Sequence, residues 1–265
     1  MKSTLSAIRQ DCATEILRMY KQANAGHIGS SLSCLEILVD LNFYRMQKDD
    51  YIILSKGHAA CALYVTLAKS GKLPIEMLQT FYRDGTQLAA HPPCSDQIPA
   101  IPFGTGSLGH GLSLATGLAF SQRFTGKNFH VYTVLSDGDC NEGSTWEAAL
   151  FAGHHKLDNL TVIVDANGLQ GIGSSKNILD MEPMNRKWEE FGFQTVIAKN
   201  GNDFESLNES FTRLKKTLKG PRCIIAKTIK GHGVSYMQNK MEWHYLPMND
   251  TQYEDAVKQT GMKDA

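Results

Sequence analysis

Ser136-Asp137-Gly138-Asp139-Cys140-Asn141-Glu142-Gly143 and Asp165-Ala166-Asn167-Gly168-Leu169 are the two stretches on which the fold turns. His130 to Ser136 is apolar and β-branched and runs into Asp137-Gly138, the pattern of a buried parallel strand that delivers a carboxylate to the carboxyl edge of a sheet. Leu160 to Asp165 is a second such strand, and Thr145 to Lys156 reads as the helix between them. From Asp137 to Asn167 is 167 − 137 = 30 residues. Open α/β sheets bind ligands at that edge. A carboxylate from Asp137, a carboxamide from Asn167 and the Leu169 carbonyl are hard oxygen donors of the kind Mg²⁺ takes, with its other positions left to phosphate and water. Gly138 lets a phosphate approach the main chain. Taken singly, Asp-Gly and Asn-Gly are common turns. Two of them at strand ends, one helix apart, point to a metal and diphosphate site.

The rest of the chain extends the same alternation. Helices are expected over about Leu5 to Gln22, Ala59 to Lys69, 110 to 122, 183 to 191 and 203 to 218, and strands over Tyr51 to Leu54, 193 to 198 and 222 to 229. Ser33 and Glu36 stand at the spacing of a capping box that opens a helix through about Phe43. Gly71 reads as a helix stop and Pro74 as the next helix start, while residues 84 to 107 are Gly- and Pro-rich loop. The class is therefore α/β, a mainly parallel sheet with helices on both faces, and the 265 residues are read as one domain, 1–265.

Composition excludes several roles. Lys plus Arg and Asp plus Glu both number 27, so no net charge draws the chain to nucleic acid or an acidic membrane. The six cysteines are scattered without a Cys-x-x-Cys pair, which suits reduced thiols in a cytoplasm rather than a disulfide frame or zinc site. The apolar run Ala59 to Ala68 is too short to span a bilayer, and the N-terminus has no signal-peptide core. Gly104 to Gly111 is glycine-rich, but it lacks the phosphate-loop lysine and no strand directly precedes it.

The Asp-Gly to Asn spacing resembles the thiamine diphosphate motif, and Asn141 to Ala148 resembles that of transketolases. Ala25-Gly26-His27, Leu54-Ser55-Lys56-Gly57-His58-Ala59, His91-Pro92, Gly104-Thr105-Gly106-Ser107-Leu108-Gly109 and Trp243-His244 agree with that family in order, over about residues 20 to 250. The resemblance implies the thiamine diphosphate-binding fold and transfer of a two-carbon ketol unit from a ketose, by default a sugar phosphate, to an aldose. Asp137, Asn167 and Leu169 would hold Mg²⁺, with Ca²⁺ or Mn²⁺ as substitutes. His58, Gly138, Asn167 and His244 would bind the diphosphate end of the cofactor. The Gly106 carbonyl would accept from its aminopyrimidine, and Leu108 would pack against it. His27, His91 and His244 would flank the reacting sugar; neutral and protonated imidazole are both within reach near neutral pH, so the cluster could shuttle protons. Glu142 and Glu147 would lie toward a subunit interface. His154 and His155 read as solvated or interface residues, and His110 and His232 are left without a role.

Transketolases usually carry further domains in one polypeptide, so the chain resembles the N-terminal subunit of a split transketolase. A C-terminal partner with the pyrimidine-binding domain would supply the activating glutamate and the sugar-phosphate cations, in an α2β2 heterotetramer, and this chain alone would be catalytically incomplete. Alternatives are a subunit of another thiamine diphosphate enzyme, of 2-oxoacid dehydrogenase or xylulose-phosphate synthase type, and a non-catalytic binding protein of the same fold. Four positions depart from the family pattern: Ser136 and Tyr245 for Gly, Ile28 for Pro and His110 for Gln. Tyr245 either reshapes the donor pocket or turns away from it.

Overall fold

The structure, a computed structural model, describes residues 2–214 and 219–261. Its centre is a parallel sheet of five strands, β1 (Tyr51–Leu54), β2 (Val131–Ser136), β3 (Leu160–Ala166), β4 (Gln194–Ala198) and β5 (Arg222–Lys227), in the order β1-β2-β3-β5-β4. Every residue of β3 is buried, as its unbroken apolar run requires for a central parallel strand. Alternate side chains serve two cores. Ile52, Leu54, Val134, Ile163 and Ile224 point to one, and Ile53, Leu135, Val162, Val164 and Ile225 to the other.

The first core is covered by α1 (Lys2–Ala23), α2 (Ile28–Ser33), α3 (Leu35–Asp40) and α4 (Ala60–Lys69), the second by α5 (Gly111–Thr125) and α6 (Gly143–His154). Two short helices, α7 (Ser175–Leu179) and α8 (Met184–Glu190), precede β4; α8 seals the second core with the fully buried Trp188. The first core also takes α9 (Phe204–Arg213), capped by Asp203 accepting from the Ser206 amide, and α10 (Asp250–Gln259), opened by a full capping box of Asn249 and Gln252. Apart from the helix starts expected at Ser33 and Pro74, the expected elements are present with shifted ends. The last part of the helix expected over 203 to 218 lies outside the described residues, and α7 and α10 are additions to the predicted set. No helix among the described residues is long and apolar enough to cross a membrane.

Two local expectations fail. Ser33 does not open a helix: it ends α2, and Cys34, off helical geometry, separates α2 from α3. Its hydroxyl instead donates to Asp165 Oδ1 (2.7 Å), and Glu36 accepts from Arg9 Nε (2.7 Å) and Asn202 Nδ2 (2.9 Å). Both side chains are buried, so internal polar partners outcompete the local cap. Pro74 likewise opens a 3-10 turn, Ile75–Thr80, rather than an α-helix.

Candidate active site

The carboxyl ends of β1, β2, β3 and β5 meet at one edge of the sheet, and a cavity of about 250 Å³ opens there. Its wall includes His27, His58, His91, His244, Gly106, Leu108, Gly138, Asn167, Leu169 and Lys230. The four histidines, distant in sequence, form one cluster. The His27 ring lies 5.7 Å from that of His58, 5.9 Å from His91 and 5.0 Å from His244, and His58 lies 5.2 Å from His244. A larger cleft of about 900 Å³ lies at the opposite, amino edge of the sheet and gathers none of the predicted site residues.

Asp137 stands just behind this wall, 6% exposed, with Oδ2 accepting from the Gly168 amide at 2.8 Å. That bond ties the end of β2 to the loop of Asn167 and Leu169, in which Asn167 Oδ1 accepts from the Leu169 amide (3.0 Å) and Gly168 takes a left-handed φ of 77°. Burial, then the charge of Asp165, pushes the Asp137 carboxyl up to about 6. Such a buried carboxylate suits a cation. No group of three His, Cys, Asp or Glu that could hold a metal occurs among the described residues; the predicted set, one carboxylate with a carboxamide and a main-chain carbonyl, is of a different kind. The wall also fits a diphosphate. A Cβ on Gly138 would come within 2.7 Å of Leu108 Cδ1, so a side chain there would displace the Leu108 tip, while glycine leaves the main chain open to a phosphate. Gly106 is different, since a Cβ there would make only ordinary contacts with His91. The buried Ser30 hydroxyl, also in the wall, has no partner among the described residues.

Three groups of the site escaped the sequence. Lys56 is fully buried and ion-paired with Asp165, which also accepts from Ser33 and Thr228. Burial opposes the Lys56 charge, but Asp165 overrides it and holds the lysine above its ordinary value. Lys230, 1% exposed, has no carboxylate partner among the described residues; its ammonium sits 2.9 Å from His244 Nδ1. Burial, then Lys56, brings it down to about 8. A buried cation with no carboxylate in contact, felt only at a distance by Asp165 and Asp137, faces the cavity and favours an anion there. Asp139, fully buried, accepts from Ser55 Oγ (2.6 Å), the Gly109 amide (2.8 Å) and the Ser136 amide (2.8 Å), gathering the loops after β1, before α5 and after β2. The Ser-Lys-Gly-His and Asp-Gly-Asp motifs contain Lys56 and Asp139, yet only the β3–β5 pairing explains why Lys230 belongs with them.

The histidines depart from expectation. Burial, followed by His91 and Lys230, lowers His27 to about 4; burial, followed by Lys230 and His27, lowers His244 to about 3. His58 falls well below its ordinary value and His91 falls as well, burial leading in both. The protonated forms are thus out of reach near neutral pH in this chain by itself. A lowered pKa means that the unfolded chain takes up protons first. The stability these groups contribute is full above about pH 6.5 and is lost as pH falls toward 4, each group counting for at most about 1.4 kcal/mol per pH unit and less for partly exposed rings. Asp137 opposes this with a raised value. Urea unfolding of the cofactor-free chain should therefore show about 3 kcal/mol less stability at pH 5 than at pH 7; an unchanged midpoint would contradict the neutral cluster.

Elsewhere, Glu142 and Glu147 are exposed at the start of α6, near the exposed Leu150. His110 is exposed, and its ring nitrogen lies near the Ser107 and Leu108 carbonyls. His232 pairs with Glu36 at 2.9 Å. Tyr245 does not turn away: its ring lies 4.9 Å from that of His244 and its hydroxyl donates to the Gly171 carbonyl at 2.5 Å.

Comparison with known proteins agrees with this geometry. The family model for the transketolase thiamine diphosphate binding domain matches residues 4–265. An apulose-4-phosphate transketolase subunit of Phocaeicola vulgatus is 37% identical over 253 residues, 92% of this chain and 89% of that protein. The 6-deoxy-6-sulfo-D-fructose transketolase subunit SqwG of Clostridium sp. is 36% identical over 241 residues, 88% and 87% of the two chains. Among solved structures, transketolase from Campylobacter jejuni superposes with a TM-score of 0.88 at 27% identity, covering 98% of this chain and 43% of that one. This chain thus spans less than half the length of that enzyme, but nearly the whole of the two subunit proteins.

Proposed function

The chain belongs to the transketolase family, and from that premise we propose that it is the N-terminal, diphosphate-binding subunit of a two-chain transketolase that moves a ketol unit from a ketose to an aldose. One observation carries the two-chain reading best: the cavity joins four histidines, a buried lysine and a bare glycine, but no carboxylate side chain among the described residues lines it. A carboxylate for the cofactor's aminopyrimidine would therefore have to come from elsewhere, as a C-terminal partner in an α2β2 assembly would provide. The sugar is a phosphorylated or otherwise modified ketose. The cysteines support a reducing cytoplasm, since all six are free and five are buried.

Each residue then has a task. Asp137, Asn167 and the Leu169 carbonyl hold Mg²⁺; Gly138, His58 and Lys230 receive the diphosphate; Gly106 and Leu108 seat the remainder of the cofactor. Bound thiamine diphosphate supplies the electron sink for carbon–carbon cleavage. His27 and His91 direct N–H or lone pair to the donor's hydroxyl and carbonyl oxygens. Because Lys230 is positioned to donate to His244 Nδ1, it leaves the Nε2 proton of His244 for the substrate side. Their low proton affinity keeps the rings neutral until a bound anion raises it, and they can then pass protons between sugar oxygens. Glu142 and Glu147 meet the neighbouring subunit.

Co-expression tests this proposal. The chain with its C-terminal partner, thiamine diphosphate and Mg²⁺ should exchange ketol units between phosphorylated sugars. The chain alone should show about a thousandth of that rate or less, the scale on which loss of a positioned catalytic group is felt. Comparable activity without the partner would refute the two-chain reading.

A further inference from the structure

Tyr245 is one of the four departures from the family pattern, and the structure gives its hydroxyl a definite partner. The stretch that follows β3 folds back on itself as a small hairpin: Leu169 bridges Ser174, the Gln170 amide donates to the Gly173 carbonyl (2.8 Å) and the Ser175 amide to the Gly168 carbonyl (2.9 Å). Its base carries Asn167 and Leu169, two of the three groups proposed to hold the metal. The hairpin is secured from two sides. Gln170 Nε2 donates to Asn141 Oδ1 (2.6 Å) in the turn after β2, and at the tip the Gly171 carbonyl accepts from the Tyr245 hydroxyl (2.5 Å).

The Tyr245 end of that link is itself anchored. The His27 amide donates to the His244 carbonyl at 3.1 Å, and a side chain on Gly26 would run into the Tyr245 carbonyl, so the turn of Trp243 to Tyr245 lies directly on the segment that presents His27. His244 Nδ1 faces Lys230, and its Nε2 makes no hydrogen bond among the described residues. The hairpin tip stands close to both rings. A Cβ on Gly171 would come within 2.5 Å of the Tyr245 hydroxyl and 3.2 Å of His244 Nε2, so a methyl there would displace the hydroxyl and crowd the imidazole. The Tyr245 ring, 54% exposed, seals no core. What distinguishes it is the bond its hydroxyl makes.

Resting on the function proposed above, we infer that Tyr245 is a positioning residue that sets the metal-holding loop and the donor histidines in one arrangement. The links run from Asn167 and Leu169 along the hairpin to Gly171, across the hydroxyl to Tyr245, and on to its neighbours His244 and His27. Without the hydroxyl the hairpin keeps its own ladder and its tie to Asn141, but its tip is released from the side of His244. A loop that holds its binding arrangement only part of the time binds more weakly by that fraction, and so does a sugar that needs His244 in place. Tyr245 thus acts on the metal through Gly171 and on the donor through His244.

The test compares Tyr245→Phe, which keeps the ring, with the wild type in the reconstituted two-chain enzyme. Mg²⁺ affinity at saturating thiamine diphosphate is read by calorimetry, donor KM and kcat by ketol transfer, and folding by urea midpoints. Loss of one hydrogen bond should weaken Mg²⁺ binding by about fivefold. Donor KM should rise by a comparable factor and kcat fall by less, since saturating ligands restore the arrangement. The urea midpoint should hold, whereas a merely structural role would move it without separating KM from kcat. Gly171→Ala should weaken Mg²⁺ to a similar degree, and adding Tyr245→Phe to it should cost little more, because both changes break one link. Unaltered Mg²⁺ affinity in Tyr245→Phe, or full additivity of the two losses, overturns the positioning role while the ketol-transfer reading stands. A shifted Mg²⁺ affinity in a pair that transfers no ketol unit overturns the function and leaves the tie between Tyr245 and the metal loop in place. A wild type without Mg²⁺-dependent cofactor binding overturns both.

Discussion

Asp137→Asn should lower ketol transfer by the reconstituted enzyme by about a hundredfold or more, without loss of folding. The residue is nearly buried and does two separable things. Its Oδ2 fixes the Gly168 amide at 2.8 Å, which an asparagine Oδ1 can also do, so the loop of Asn167 and Leu169 should keep its course. Its charge is the one carboxylate in the proposed donor set, and hard divalent cations depend on such charge. Changes just outside a metal's ligands already cost about 10- to 100-fold in affinity or activity, so loss of a charged ligand should cost at least as much. Stability should move the other way or not at all, because burial has already pushed this carboxyl up to about 6 and the neutral amide relieves that penalty. Mg²⁺ titration of activity together with urea midpoints separates the two. A variant that is inactive and unfolded would assign Asp137 to the scaffold, and one that is folded and fully active would remove it from the metal site.

Lys56→Met should destabilise the chain by about 3–5 kcal/mol, the usual cost of leaving one partner of a buried ion pair alone. Both side chains of the Lys56–Asp165 pair are 0% exposed, and Lys56 also donates to the Ser30 carbonyl at 3.1 Å. The remaining donors to Asp165, Ser33 and Thr228, carry no charge and soften the loss only in part. Adding Asp165→Leu should recover a large fraction, since a buried pair replaced by apolar groups is often near neutral. Chemical denaturation of the two variants measures the difference. If the single replacement cost less than about 1 kcal/mol, the buried Lys56–Asp165 pair would not be what holds these segments together.

Strand ends were legible because a buried parallel strand announces itself as an apolar run, and a following Asp-Gly or Asn-Gly marks the edge. That is why Asp137, Asn167 and Leu169 could be named and why they stand side by side once β2 and β3 pair. Local rules misled where long-range partners were stronger. Ser33 and Glu36 have capping-box spacing, but Asp165 and Arg9 claim them, and no local window contains either partner. Lys230 follows β5, whose place next to β3 depends on sheet order rather than sequence order. The histidines could be assigned to the site, whereas their neutrality could not, because it arises from burial and from two lysines that approach from other strands.

Asp139 gives this edge of the sheet a hereditary constraint. Its one carboxylate holds Ser55, Gly109 and Ser136, and so unites segments that present His58, Leu108 and Gly138 to the cavity. Exchanging any one of these loops alone removes a donor from a buried carboxylate that the other two also hold. The proposed diphosphate end of the site is thus coupled through one buried carboxylate, and changes of shape meet least resistance where that carboxylate does not reach.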